Sequence, residues 1–252
     1  IADVITFTTH KTLCGPRGAC ILTKDASLAK KIDKAVFPGE QGGPHVQVFA
    51  AMATTFKIAR TEKFKKLQQQ ILLNCKALGD QLTRRGLHLA FKGTDSHLLN
   101  IDCKTVKGKD GSVLSGDMAA RLLDLAGIVA NRNTIPGDTS ALKASGVRMG
   151  TPWVTQRGLR EKDMCEIADI IADLFSATQP YSIEDEKGKN LRAKVSFSTL
   201  ENAKIRVRAI ADRAGTDLTI EKHPYPFFFY LDDYQSVKGA EITFSIKGKQ
   251  VR

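Results

Sequence analysis

The sequence predicts a mixed α/β protein, and three observations carry that reading. Residues 4–9 and 19–23 are short apolar runs bounded by Gly, Asp and hydroxyl residues, the length and setting of strands. Residues 61–85 place Phe64, Leu67, Ile71, Cys75, Leu78 and Leu82 at steps of three and four, which lines them along one face of a long helix. Strand-like and helix-like stretches then interleave to about residue 175.

A chain of 252 residues with 42% apolar and 26% charged residues has the balance of a globular protein, enough for one large or two ordinary domains. No apolar run is long enough to span a bilayer, and no secretory leader opens the chain. It starts at Ile1 without Met, inside an apparent strand, and reads as a piece whose N-terminal part is missing. Cys14, Cys20, Cys75, Cys103 and Cys165 are scattered without metal-ligand spacing. An odd, dispersed set suits reduced thiols and a cytoplasmic location, with no metal site. Cys75 and Cys103 read as core, Cys75 on a helix stripe and Cys103 in a strand; Cys14 is the one thiol placed near a candidate site, with core filling as its ordinary role. The net charge of +11 permits anionic partners, but the basic residues are spread along the chain without a nucleic-acid motif.

Taken in order, residues 1–24 read as buried strand, loop and second buried strand. Lys11 follows the first. A lysine brought by a strand end into a partly dry pocket loses its proton more readily and can bond to an aldehyde cofactor; for an isolated lysine, a solvated loop position is the ordinary outcome. Asp25 and Ser27 can cap a short helix with Leu28, Ile32 and Val36 inward. Val36 to His45 is rich in Pro and Gly and reads as a loop. Its adjacent glycines, Gly42 and Gly43, leave backbone N–H groups open to an anion, ahead of a helix over 46–60.

The long helix over 61–85 ends at Gly86. Leu99, Ile101 and Cys103 then alternate as a strand, with His97 just before it read as a structural, hydrogen-bonded histidine. A helix over 117–126 stops at Gly127, and residues 128–131 begin another strand. Arg148 stands between Gly146 and Gly150, with room for a small acid to reach its planar fork. Residues 158–175 contain an amphipathic helix with Met164, Ile167, Ile171, Leu174 and Phe175 on one side, closed by Pro180. Residues 179–195 are polar and charged. Ser198-Thr199-Leu200-Glu201 reads as a capping box opening a helix with Ala203, Val207 and Ile210 inward. The aromatic tract 223–230 reads as packing surface, and 241–246 as a strand.

Four of these stretches, in order and at compatible spacing, resemble the serine hydroxymethyltransferase (glycine hydroxymethyltransferase) family. They are Thr8-Thr9-His10-Lys11-Thr12-Leu13 with Gly15-Pro16-Arg17-Gly18; Phe37-Pro38-Gly39-Glu40-Gln41-Gly42-Gly43-Pro44; Thr94-Asp95-Ser96-His97-Leu98; and Ser145-Gly146-Val147-Arg148-Met149-Gly150-Thr151-Pro152. Phe7 replaces a threonine of the family's longer run. Ser140-Ala141-Leu142 stands where the family usually has Ser-Pro-Phe, in a loop one residue shorter. Residues 179–195 are an insertion relative to the pattern, and beyond Gly215 the resemblance ends.

The resemblance implies a type I pyridoxal-phosphate-dependent transferase fold: residues 1–60 the end of the large domain, 61–214 the α/β small C-terminal domain, and 215–252 a linker and the start of an additional domain. It implies pyridoxal-phosphate-dependent interconversion of serine and glycine, with the one-carbon unit passed to tetrahydrofolate. Lys11 would carry the cofactor, His10 and Thr8 would shape hydrogen bonding beside it, and Gly42 and Gly43 would reach the cofactor phosphate of a neighbouring subunit, so the working unit is a homodimer or larger. Arg148 would bind the amino-acid carboxylate. Asn133, with Ser140, Ala141 and Leu142, would face folate. The family's ring-nitrogen aspartate, ring-stacking histidine and acid–base glutamate fall upstream of Ile1, so this stretch alone is expected to be inactive. The altered Ser140–Leu142 loop leaves open a folate-independent aldolase of threonine aldolase type; a degenerate, non-enzymatic module is the third alternative.

Overall fold

The computed structural model describes residues 2–185, 188–215, 244–246 and 249–251. The chain separates into two units, 1–215 and 216–252. In the first, strand β1 (Val4–Thr8) pairs antiparallel with β2 (Ala19–Thr23), Thr8 opposite Ala19. Helix α1 (Ala26–Lys34) starts at Asp25, whose carboxylate accepts the N–H groups of Ser27 and Leu28. A short helical turn, Ala35–Glu40, follows, and α2 (Val46–Ala59) begins after the Gly-Gly loop.

The two strands are not buried as the sequence predicts. Val4, Ile5, Ile21 and Leu22 are exposed, whereas Phe7 of the same two-stranded sheet meets Phe56 of α2 edge to face. Val36, predicted inward, is exposed too.

The main core lies further on. Helix α3 (Glu62–Arg84) is capped by Thr61, whose hydroxyl accepts the Phe64 N–H. It ends before Gly86, whose φ of +84° suits glycine. The sheet beside it has the order β3-β5-β4, all antiparallel: β3 (Leu98–Asp102), β5 (Gly146–Gly150) in the middle, and β4 (Asn131–Asn133). Leu99, Ile101, Val147 and Met149 enter the core with Cys75, Leu78 and Leu82 of α3. Helix α4 (Gly116–Leu125) adds Leu122 and Leu123, and α6 (Glu161–Ser176) adds Met164, Ile171, Leu174 and Phe175. Between them, α5 (Pro152–Gln156) turns the chain off β5. Cys103 is buried, but in a 3-10 turn, Cys103–Thr105, where Asp102 accepts the Lys104 N–H and ends the strand. Residues 128–130 precede β4 rather than forming it.

The polar stretch after α6 is a hairpin, β6 (Thr178–Asp185) with β7 (Gly188–Val195), which periodicity alone does not predict. Pro180 lies within β6, not at the helix end. Asp110 anchors the hairpin: its carboxylate accepts the N–H and hydroxyl of both Ser112 and Ser182. Those donors, the N–H groups foremost, hold its pKa well below the usual carboxylate range.

Helix α7 (Phe197–Arg213) is capped by Ser196, two residues before the predicted box, and buries Leu200, Ala203 and Ile210. Ion pairs tie it to the other helices. Arg206 and Arg85 share Asp173, and Arg85 also meets Asp169. In the second unit β8 (Phe244–Ile246) pairs antiparallel with β9 (Lys249–Val251). The aromatic tract 223–230 lies outside the described residues. Among the described residues no helix is long and apolar enough to cross a membrane, and no group of His, Cys, Asp and Glu could hold a metal ion.

Candidate active site

Lys11 sits in a turn just past the end of β1. The Thr9 N–H and hydroxyl both bond to Gly18 O, the hydroxyl also donates to Pro16 O at 2.6 Å, and Gly15 N–H returns to Thr9 O. Thr9 is fully buried. It draws the two ends of the loop together, and the turn closes with Cys14 N–H on Lys11 O at 2.8 Å. A Cβ on Gly18 would lie 2.1 Å from the terminal methyl of Met52 on α2, so the loop packs closely on that helix, and a larger residue here would displace the end of the methionine side chain.

Lys11 and Thr8 are exposed, so the described residues do not form the dry pocket the sequence predicts around the amine. His10 is half-buried, and its Nδ1 is buried without a hydrogen-bond partner. Cys14 is exposed, at φ +59°, and belongs to the turn rather than the core. Desolvation of its sulfur raises the thiol pKa, against a hydrogen bond from Gln156.

Two hydrogen bonds leave this turn for other elements. Gln68 of α3 donates to Thr12 O at 3.3 Å, and Gln156 of α5 donates to Cys14 Sγ. α5 is in turn pinned to α3: Thr151 donates to Ile71 O at 2.8 Å, and the buried Asn74 amide donates to Thr155 Oγ1 and Leu159 O. Thr151 directly follows β5, which carries Arg148. The lysine turn and the arginine strand thus belong to one hydrogen-bonded body.

Arg148 is exposed on the central strand, on the sheet face away from the core. Its same-face neighbours along β5 are Gly146 and Gly150. Packing requires glycine at 146, where a Cβ would meet Ile135 Cγ2 at 2.4 Å and Asn133 O at 2.8 Å; at Gly150 a Cβ would approach His97 O at 3.0 Å, a tight but less decisive contact. His97 contributes that carbonyl, which also accepts the Thr151 N–H. Its imidazole makes no hydrogen bond among the described residues, so the predicted side-chain partner is not found.

The loop entering β5 is held by Asp138, which the sequence reading passed over. Its carboxylate accepts the Ile135 N–H, the Ser145 N–H and, at short range, the Ser145 hydroxyl, with Lys104 at 3.9 Å. Burial opposes ionisation, but these partners outweigh it and lower the pKa. A Pro-Gly dipeptide immediately before an Asp was the available signal for such a turn. On this loop Ser140 caps the 3-10 turn Ala141–Lys143, Ala141 is exposed, and Leu142 is 79% exposed. Asn133 spends its side-chain N–H on Thr134 O.

Gly42 and Gly43 lie apart from these contacts, in an exposed stretch. A Cβ on either would meet nothing within 4 Å, and neither has a positive φ. Among the described residues nothing therefore demands glycine at these positions.

A family model for serine hydroxymethyltransferase matches residues 1–171. The matched span contains Lys11, Gly42, Gly43, Asn133 and Arg148 and ends within α6.

Proposed function

The chain belongs to the serine hydroxymethyltransferase family, and from that premise we propose that it serves the pyridoxal-phosphate-dependent interconversion of serine and glycine, with tetrahydrofolate as one-carbon acceptor. One observation carries the proposal: the lysine turn and the segment leaving the arginine strand are bonded to each other through Cys14 and Gln156. An amine and a carboxylate anchor held in one body are what an enzyme needs to present an amino acid to a fixed cofactor.

The residues suit the cofactor. Lys11 offers a primary amine for an aldehyde, and the partnerless Nδ1 of His10 beside it can take part in a hydrogen bond. The open backbone at Gly42 and Gly43 suits close approach of a phosphate, and its exposure suits a phosphate held by a second copy of the chain. When bound, pyridoxal phosphate supplies an electron sink that weakens bonds at the substrate Cα.

The chain's own part is orientation. Arg148 takes the substrate carboxylate in a two-pronged hydrogen bond. Holding that group fixes which Cα bond lies in line for cleavage. Thr8 and His10 flank the amine and set its hydrogen bonding. Leu142, apolar and exposed at a loop tip, with Ser140, Ala141 and Asn133 nearby in sequence, suits contact with the folate ring.

The test is covalent trapping. The full-length protein, loaded with pyridoxal phosphate and reduced with borohydride, should carry a pyridoxyl mass on the peptide containing Lys11, and a Lys11→Gln variant should not. No added mass on that peptide overturns the proposal. Serine cleavage that is indifferent to tetrahydrofolate would overturn its folate part alone.

A further inference from the structure

The sheet register sets Asn100 of β3 directly across from Arg148 of β5, and Asn131 of β4 on the other side of Arg148. The three form one row on the sheet face opposite Leu99, Ile101, Val147 and Met149.

Asn100 is out of keeping with its surroundings. It is 8% exposed, and its Oδ1 is buried without a hydrogen-bond partner. Buried acceptors are nearly always paired, because leaving one unpaired forfeits its hydration for nothing. An aliphatic side chain of the same size would fill the site at no such cost. Its cross-strand neighbour has the complementary surplus. Arg148 carries a fork of N–H donors, and makes no hydrogen bond or ion pair among the described residues. Directly opposed residues in an antiparallel pair have Cβ atoms roughly 5 Å apart. A short amide and a long guanidinium span that gap easily.

We infer that Asn100 is a positioning residue for Arg148: its Oδ1, unpaired in this structure, becomes the acceptor of one guanidinium N–H when a carboxylate engages the outer N–H pair, and so steadies the fork from the β3 side. This rests on the reading of Arg148 as the carboxylate anchor. Asn131, exposed on the opposite side, does not share the role, since solvent satisfies it. The guanidinium is thus steadied on one edge only.

The test uses Asn100→Leu, which keeps the size and removes the acceptor, with Asn100→Ala as a second variant should leucine fail to pack. In the pyridoxal-phosphate-loaded full-length protein, glycine binding followed by absorbance should weaken roughly tenfold, the scale of a hydrogen bond to a charged group. Cofactor affinity should be unchanged. The melting temperature should hold or rise, because an unpaired buried group has been removed. In the glycine-bound full-length protein labelled with 15N-arginine, the Arg148 Nε–H should exchange with water several-fold faster in the variant than in the parent.

Equal exchange rates overturn the inference. So does a fall in melting temperature accompanied by loss of cofactor, which marks a purely structural residue. Arg148→Gln separates the two layers. If it abolishes glycine binding while Asn100→Leu leaves binding intact, the positioning role fails and the anchor reading stands. If Arg148→Gln still binds glycine normally, both fall.

Discussion

The side-chain amide of Gln156 donates to Sγ of Cys14 at 2.8 Å, joining residues 142 positions apart in sequence. Cys14 closes the turn that holds Lys11, and Gln156 lies in the helix that follows Arg148. Two stretches that share no sequence pattern are thereby coupled, and changes in one should be felt in the other.

Arg148→Lys should weaken glycine and serine binding by about a hundredfold, since lysine keeps the charge but cannot make the paired contact. Arg148 is exposed, so thermal stability should not change. A glycine titration of the cofactor-loaded protein, with a melting curve alongside, checks both.

Gly43→Ala should separate folding from function. The backbone there needs no glycine and the space is open, so stability should stay within about 0.5 kcal/mol of the parent. Retention of pyridoxal phosphate should fall. Chemical denaturation and equilibrium dialysis against the cofactor measure the two effects.

Asn74→Ala should cost about 2–3 kcal/mol in urea unfolding, because Asn74 is fully buried and its loss strands partners on both Thr155 and Leu159. The lysine turn should loosen as well, visible as faster exchange of the Cys14 and Gly15 amides, which bond to Lys11 O and Thr9 O.

The Asp138 carboxyl is held below its ordinary pKa. A group depressed in the folded state stabilises above its unfolded pKa, about 3.9 for aspartate, and that contribution is lost as pH falls below it towards the folded value. Melting temperatures of the parent should therefore drop more steeply than those of Asp138→Asn as pH is lowered from 5 to 3. At pH 7 the variant should be less stable than the parent. Identical slopes would show that Asp138 does not clamp the loop.

How much of this was legible in the sequence follows the physics of each element. The helices were legible because Ile71, Cys75, Leu78 and Leu82 repeat at helical steps and are all buried. Arg148 stood out through the glycines that flank it, and Lys11 through the resemblance of the segment around it to the family's lysine motif. The hairpin β6–β7 was not legible: its residues are mostly polar, with no clear apolar alternation, and its anchor Asp110 lies far away in sequence. Exposure of β1 and β2 was misread because an apolar run reports preference for burial, not whether a neighbour supplies it. Asn74 and Asn100 were passed over because a polar residue amid apolar ones reads as outward-facing. Only the register opposite Arg148 and the proximity of Thr155 reveal what they do.

Helix α3 meets the lysine turn at Gln68, Thr151 at Ile71 and Thr155 at Asn74. These contacts recur every third residue, so they share a face, and at 1.5 Å of rise per residue the helix acts as a ruler between two anchors. One residue inserted between Gln68 and Ile71 would rotate everything on one side of it by roughly 100°. Substitutions on the solvent side of that span are free to drift over evolutionary time, but its length is not. Insertions and deletions should be absent there in any descendant that still holds an amine and a carboxylate in a common frame.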